Sequence, residues 1–236
     1  MKELKGKKIL VTAGPVWVPI DRIRVISNIF RGSLGLLVAK EAVKKGAKAT
    51  LLLGPGNLSL LKRTPKGLKI IHFRFFNELF DLMKREISSR EYDAVVHSAA
   101  VSDYLPASFY PGKIRSGKRE ILIRLKPTIK IINQVKKWDP DVFLVKFKLE
   151  VGKNKKELLK KGKEALEESS ADLLVANDLK DIRGNRHRAF ILDKKGGVIV
   201  CQTKQDIARS ILLRLSQMLN SSAKRKAQNL KLQRKA

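Results

Sequence analysis

Two apolar runs, each closed by a short polar signature, dominate the hydrophobic pattern of the chain. Tyr92-Asp93-Ala94-Val95-Val96-His97 leads into Ser98-Ala99-Ala100-Val101-Ser102-Asp103-Tyr104, and Ala171-Asp172-Leu173-Leu174-Val175-Ala176 ends in Asn177-Asp178. Continuous apolar runs suit central parallel strands that are buried on both faces. In an open α/β sheet, ligands sit beyond the carboxyl ends of such strands. The tips at 98–103 and 176–178 are therefore the expected ligand site.

The same pattern extends along most of the chain. A strand is predicted over 8–12, turned by Ala13-Gly14-Pro15, and a long loop follows to Arg31. Gly32-Ser33-Leu34-Gly35 opens a helix over 36–45 that Gly46 ends. Strands over 49–53 and 68–73, an amphipathic helix over 77–87 and a strand over 94–99 come next. Such β-α-β alternation argues for a parallel sheet with right-handed crossovers. The pattern breaks after Asp103: residues 104–125 hold Pro106, Pro111, Gly112 and Gly117 and end in the alternating Glu120-Ile121-Leu122-Ile123-Arg124-Leu125. That stretch reads as an extended arm with an exposed strand, and such edges normally pair. A helix near 129–137, a strand over 142–147, a helix over 155–168 and a strand over 172–176 resume the alternation. An antiparallel hairpin, 190–192 with 198–201 around Lys195-Gly196-Gly197, and a helix over 205–219 close it. The expected fold class is α/β: a Rossmann-like, mostly parallel sheet with helices on both faces, an extended dimerisation arm and a C-terminal hairpin plus helix. One domain is expected over 1–220, with a basic disordered tail over 221–236.

Charge changes this picture more than composition does. The 236 residues carry a net charge of +29, which attracts nucleic acid, acidic membrane surfaces or phosphorylated metabolites. The lysines are spread along the chain, and only Lys224, Arg225, Lys226, Lys231, Arg234 and Lys235 gather into a basic tail. Basic stretches without interleaved aromatics are usually solvated faces, so a nucleic-acid partner is admitted but not favoured. The single cysteine, Cys201, excludes an internal disulfide framework, and its strand-like surroundings make it a small buried hydrophobe. With no apolar run of bilayer length and no signal peptide, a soluble cytoplasmic protein without a membrane partner is expected. His72, His97 and His187 show no metal-ligand spacing, so no metal-binding residues are assigned.

The first β-α turn lacks Gly-x-Gly-x-x-Gly, which argues against a standard dinucleotide site. Instead the loop from Thr12 to Asn28 is too long for a plain connection and carries Arg22, Arg24 and Asn28 just ahead of the Gly32 helix start. A helix N-terminus near arginines suits a phosphate or carboxylate. The loop alone equally admits Asn28 as a helix cap and the arginines as solvated side chains.

Four motifs taken in order are more specific. Thr12-Ala13-Gly14-Pro15, Pro19-Ile20-Asp21, Arg24, Ile26-Ser27-Asn28, Gly32 and Gly35 are followed by Ala99-Ala100-Val101-x-Asp103-Tyr104, by Gly112-Lys113-Ile114 and by Ala176-Asn177-Asp178. This order resembles phosphopantothenoylcysteine synthetase, the carboxy-terminal half of the bifunctional coenzyme A biosynthesis flavoprotein, over roughly residues 7–219. The resemblance implies a ligase that joins 4′-phosphopantothenate to cysteine through an acyl-nucleotide, with CTP (or ATP) as substrate, Mg²⁺ and a homodimer. The flavin-binding half has no counterpart, so no flavin is implied. Asn28 matches the asparagine that holds the acyl-nucleotide, Arg24 the motif arginine beside it, Asp103 the aspartate at the nucleotide, and Lys113 the lysine that neutralises charge on the phosphates. Ser98, Ala99 and Ala100 would line the nucleotide, and Phe147 matches the phenylalanine of the next strand.

Several positions depart from the family pattern. Its Lys-x-Lys-Lys is Lys113-Ile114-Arg115-Ser116, its Asn-Pro-Asp-Ile is Lys126-Pro127-Thr128-Ile129, and its Gly-Phe is Lys146-Phe147. Two family lysines that reach the triphosphate fall at Ala165 and Ser169, and Lys161 or Lys163 takes their place only if the helix register shifts. A nucleotide-binding relative without ligase activity, and a basic nucleic-acid-associated protein on the same scaffold, are the rival readings.

Overall fold

A computed structural model describes residues 3–56, 64–184 and 186–233, with the side chains of the last helix described as far as Ser221. The chain opens with β1 (Lys8–Ala13), a small antiparallel pair β2 (Val18–Pro19) and β3 (Val25–Ile26), and α1 (Ser33–Lys44). Next come β4 (Lys48–Leu53), β5 (Leu68–His72), α2 (Phe76–Ser88) and β6 (Ala94–His97). A second small antiparallel pair, β7 (Tyr104–Pro106) and β8 (Leu125–Pro127), precedes a 3-10 turn (Ile131–Gln134) and the one-turn α3 (Val135–Trp138). The rest is β9 (Phe143–Glu150), α4 (Lys155–Glu168), β10 (Leu173–Asp178), a 3-10 turn (Leu179–Asp181), β11 (Ile182–Arg183), β12 (Arg186–Asp193), β13 (Val198–Thr203) and α5 (Lys204–Gln233).

Among the described residues one nine-stranded sheet organises the fold, in the order β11-β12-β10-β9-β6-β1-β4-β5, with β13 on the far side of β12. The six strands from β5 to β10 pair in parallel, and β12 turns antiparallel against β10. The chain winds outward from β1 through β4 to β5, then returns to lay β6 against the other side of β1. That reversal is a topological switch point, where the carboxyl ends of two neighbouring strands diverge and leave a crevice.

Strand side chains alternate between two cores because the pleat has a period of two. Ile9, Val11 and Ala13 pack with Leu36, Ala39 and Ala42 of α1 and with Ile207, Ile211 and Leu215 of α5. Leu10, Val95, Leu144 and Leu174 pack with Leu79 and Met83 of α2 and Leu158 and Leu166 of α4. The expected sheet with helices on both faces is what forms. Asn154 starts α4 reciprocally: its Oδ1 accepts the Glu157 amide at 3.0 Å, and Glu157 Oε2 accepts the Asn154 amide at 3.1 Å. This is an Asn-x-x-Glu capping box. No helix among the described residues is long and apolar enough to cross a membrane.

Three elements differ from the sequence pattern. The alternation over 120–125 gives a strand only at Leu125–Pro127; among the described residues no element covers 120–124, and Leu122 is 89% exposed. Alternation marks a strand only where a partner edge accepts it. The predicted helix near 129–137 is a 3-10 turn running into a single α-turn. Finally, the stretch expected to be a disordered tail continues α5 to Gln233. Residues 221–233 contain no Gly or Pro and are rich in Ala, Lys, Arg, Gln and Leu, so local helix propensity carries the backbone on.

Candidate active site at the switch point of the sheet

The tips of β1 and β6 are welded by side chain and backbone. The Thr12 hydroxyl accepts the Ala99 amide at 3.0 Å and lies 2.9 Å from Nδ1 of buried His97. Burial, and then the charge of Lys146, push the His97 pKa down to about 4, so the ring is neutral. Beyond the strands, Ala100 donates its amide to Gly14 (2.9 Å) and accepts the amide of Val16 (3.2 Å). Small residues at 98–100 thus leave a flat backbone floor.

Helix α1 stands directly on that floor. Gly32 has φ +75°, and a Cβ there would fall 2.5 Å from the Gly14 nitrogen; one at Gly35 would fall 2.7 Å from the Ala13 Cβ. Gly14, Gly32 and Gly35 therefore serve the tight turn and close helix packing that Gly-x-Gly-x-x-Gly provides elsewhere, although a long insertion separates the first from the other two. The absent fingerprint is assembled in space.

A cleft of about 440 Å³ opens above these tips. Asn28, Ser98, Ala99, Ala100, Asp103 and Phe147 all line it, as does Asn177 at the end of β10. Asn28 donates its Nδ2 to the Ala100 carbonyl at 2.9 Å, which orients the carboxamide against the β6 tip. Asp178, the neighbour of Asn177 in the second signature, has another task. That buried carboxylate accepts the amides of Gly152 (3.2 Å), Lys153 (2.6 Å) and Lys180 (3.0 Å), closing the turn into α4.

Three residues expected in the site lie outside the lining of the cleft. Arg24 is held by the buried Asp21 carboxylate at 2.5 Å and by the Ile114 carbonyl at 3.2 Å. Burial alone would raise the Asp21 pKa; the amides of Ile114, Ile23 and Arg24 and the Arg24 guanidinium together hold it well below the usual carboxylate range. Lys113 is exposed on the arm beside Ile114. Lys161 is bound to Glu150 at 3.0 Å, and Glu150 also holds Lys148 at 3.3 Å. The positions of the missing lysine pair face inward: Ala165 and Ser169 are buried, and the Ser169 hydroxyl donates to the Ala165 carbonyl at 2.9 Å.

Sequence reasoning missed Arg31, Ser33, Lys148, His187 and Lys204, which also line the cleft. Lys204 begins α5 and donates to the Ser33 hydroxyl at 3.1 Å, 171 positions earlier in the chain. No local pattern marks them; only the antiparallel return of β12 beside β10 brings His187 and Lys204 to this end of the sheet.

Comparison with known proteins agrees with this geometry. The chain is 33% identical over 219 residues to the coenzyme A biosynthesis bifunctional protein CoaBC of Thermococcus kodakarensis, covering 92% of this chain and 53% of that protein. It is 30% identical over 214 residues to CoaBC of Borreliella burgdorferi, covering 89% and 52%. The chain thus spans about half the length of these curated relatives. Among solved structures, the DNA/pantothenate metabolism flavoprotein of Streptococcus pneumoniae superposes with a TM-score of 0.81 at 30% identity, over 90% of this chain and 100% of that one. The C-terminal domain of a CoaBC superposes at 0.77 with 26% identity, over 94% and 100%. A mutant of Cab2 in complex with phosphopantothenate-cysteine superposes at 0.74 with 16% identity, over 92% and 89%, a likeness of fold. The family model for the DNA/pantothenate metabolism flavoprotein C-terminal domain matches residues 4–219, and the chain belongs to that family.

Proposed function

We propose that this chain is a phosphopantothenate–cysteine ligase of coenzyme A biosynthesis, acting in the cytoplasm and using CTP in preference to ATP. A carboxylate oxygen of 4′-phosphopantothenate attacks the α-phosphate of the nucleotide, and pyrophosphate leaves. The amine of cysteine then attacks the acyl carbon of the acyl-nucleotide, forming the amide and releasing the nucleoside monophosphate. The observation that supports this best is the placement of Asn28: its amide is fixed on Ala100 at the switch point, in one cleft with Asp103 and the start of α1. A neutral carboxamide there can hold the acyl-nucleotide without repelling its phosphate. Reactions at phosphorus depend mostly on positioning and on neutralising charge.

In this reading Ser98, Ala99, Ala100 and Phe147 bound the nucleotide, and Asp103 is the one carboxylate among the cleft-lining residues. Among the described residues no three His, Cys, Asp or Glu side chains come together as a metal site. Mg²⁺ fits instead as part of the nucleotide substrate, held by phosphates with at most one or two carboxylates. Lys113 serves the phosphates from the arm and Arg24 shapes the substrate loop, whereas Lys161 stays paired with Glu150. The arm exposes Tyr104, Phe109, Tyr110, Leu122 and Leu125, and the proposed occupant of that apolar surface is the arm of a second copy in a homodimer.

The test is direct. The protein is incubated with phosphopantothenate, cysteine and each nucleoside triphosphate, and pyrophosphate and the amide product are measured. CTP-dependent formation of both in equal amounts supports the ligase. The second reading, a nucleotide-binding relative without ligase activity, is favoured by the buried Ala165 and Ser169 and would bind nucleotide without product.

A further inference from the structure

Among the described residues that line the cleft, the cations without a carboxylate partner are Arg31, ahead of α1, and Lys204 of α5; α4 contributes none. Lys204 is partly buried, lines the cleft and has a hydroxyl as its partner, Ser33 Oγ at 3.1 Å. The other lysine of the lining, Lys148, is already matched by Glu150. Ser33 is the first residue of α1, a twelve-residue helix whose N-cap is Gly32 and which receives no side-chain cap. Its first amides therefore face the cleft without a side-chain acceptor, at the positive end of the helix dipole.

A second, independent observation points to a ligand. His187 is 6% exposed and lines the same cleft, and neither of its ring nitrogens has a hydrogen-bond partner. Buried polar groups are almost always paired, and an unpaired one carries a desolvation penalty. Burial and then the Lys204 charge hold the ring neutral, with Asp181 acting the other way. A neutral imidazole still has one N–H to donate. An ammonium, a hydroxyl, open helix amides and a spare imidazole N–H line this part of the cleft with an excess of donors, which suits a phosphate group.

We propose that Lys204, Ser33 and His187, with the first amides of α1, seat the phosphate chain of the nucleoside triphosphate, and that Lys204 supplies the positive charge that α4 does not. The assignment rests on the ligase reading of the cleft. It also explains how a chain with Ala165 and Ser169 buried keeps affinity for a triphosphate.

The test is calorimetric titration of the full chain with CTP and, separately, with inorganic pyrophosphate. Lys204→Met should weaken CTP binding about tenfold or more, the effect of removing a charge-assisted hydrogen bond. Lys204→Arg should recover most of the loss, and His187→Val should weaken binding by a smaller factor. Phosphopantothenate binding should stay unchanged in all three, and the thermal midpoint in the two Lys204 variants. If the wild type binds CTP and Lys204→Met binds it equally well, the seat is overturned while the ligase reading stands. If the wild type binds pyrophosphate but not CTP, and Lys204→Met loses pyrophosphate, the ligase reading falls and the seat stands. If the wild type binds neither, both are overturned.

Discussion

The amide of Ile114 donates to the buried carboxylate of Asp21 at 3.0 Å, across 93 positions of the chain. The same carboxylate takes the amides of Ile23 and Arg24 and the Arg24 guanidinium, while Arg22 donates its amide to Gly112 and Tyr110 donates its amide to Ile20. One aspartate thus fixes the loop that ends in Asn28 and docks the arm that carries Lys113. Asp21→Asn replaces an acceptor oxygen with a donor facing other donors. Amide exchange at Ile23, Arg24 and Ile114 should accelerate, and the thermal midpoint should drop. Because the folded-state pKa is depressed, the lock is present above the ordinary aspartate range and is lost only as pH falls well below it. Unchanged exchange at Ile114 would show that the arm is held by something else.

Asn28→Asp should impair the second half-reaction more than the first. The substitution puts a carboxylate against the Ala100 carbonyl, 2.9 Å from where the amide now donates, and near the phosphate of the acyl-nucleotide. That intermediate should accumulate in the presence of cysteine and be detectable by rapid-quench chromatography. Wild-type rates of amide formation would refute a role for the carboxamide.

Lys113 and Lys161 separate two ideas of where charge comes from. Lys113 is unencumbered on a docked arm, whereas Lys161 is spent on Glu150. Lys113→Gln should slow pyrophosphate release by about 2.7–4 kcal/mol in activation free energy, the scale of losing one donor to a developing charge. Lys161→Met should change the nucleotide KM by less than about threefold, because exposed lysine pairs contribute little. Saturating CTP and single-turnover pyrophosphate assays distinguish the two; an unaffected first step in Lys113→Gln removes it from nucleotidyl transfer.

The parts of this architecture that were legible in the sequence are those set by local pattern. The apolar runs ending at His97 and Asp178, and the helix over 155–168, follow from burial periodicity and capping, and the structure places their tips where strand order predicts a crevice. Residues whose position depends on who pairs with whom were not legible. Arg24 and Lys161 read as free cations because nothing in their neighbourhood shows that Asp21 and Glu150 take them. His187 and Lys204 are invisible to motif reasoning because the return of β12 antiparallel to β10 delivers them. The glycine constellation was hidden because an insertion splits it, and the arm strand was misplaced because alternation does not name its partner.

Acid should loosen the floor of the cleft before it unfolds most carboxylate pairs. His97 has a folded-state pKa near 4, below the ordinary histidine value of 6.5. Between these values the unfolded chain binds a proton that the folded chain refuses, so stability falls as pH drops through that window. His187 adds to the same trend. Protonated His97 also carries a donor on Nδ1, 2.9 Å from the Thr12 oxygen that already accepts the Ala99 amide. The thermal midpoint of the wild type should decline from pH 7 to pH 5, and His97→Gln should decline less. Equal slopes in the two proteins would assign the acid sensitivity elsewhere.

Removing residues 221–236 should leave both the fold and the proposed ligase activity intact. Among the described residues, the packing of α5 on the sheet runs through Ile207, Ile211 and Leu215 to the partly buried Met218 and Leu219. Past Ser221 the sequence favours helix by propensity, and only Leu230 and Leu232 are large apolar residues. Far-UV circular dichroism of the truncated chain should therefore lose helical signal while its thermal midpoint holds. Six of the chain's basic residues leave with this segment, namely Lys224, Arg225, Lys226, Lys231, Arg234 and Lys235. Affinity for a model polyanion such as heparin should fall and become less steeply salt-dependent, since each released counterion steepens the salt slope, whereas CTP turnover should not change. Aggregation of the truncated chain, or a change in its oligomeric state, would mean that the helical extension docks on another surface and that the domain does not end near Asn220.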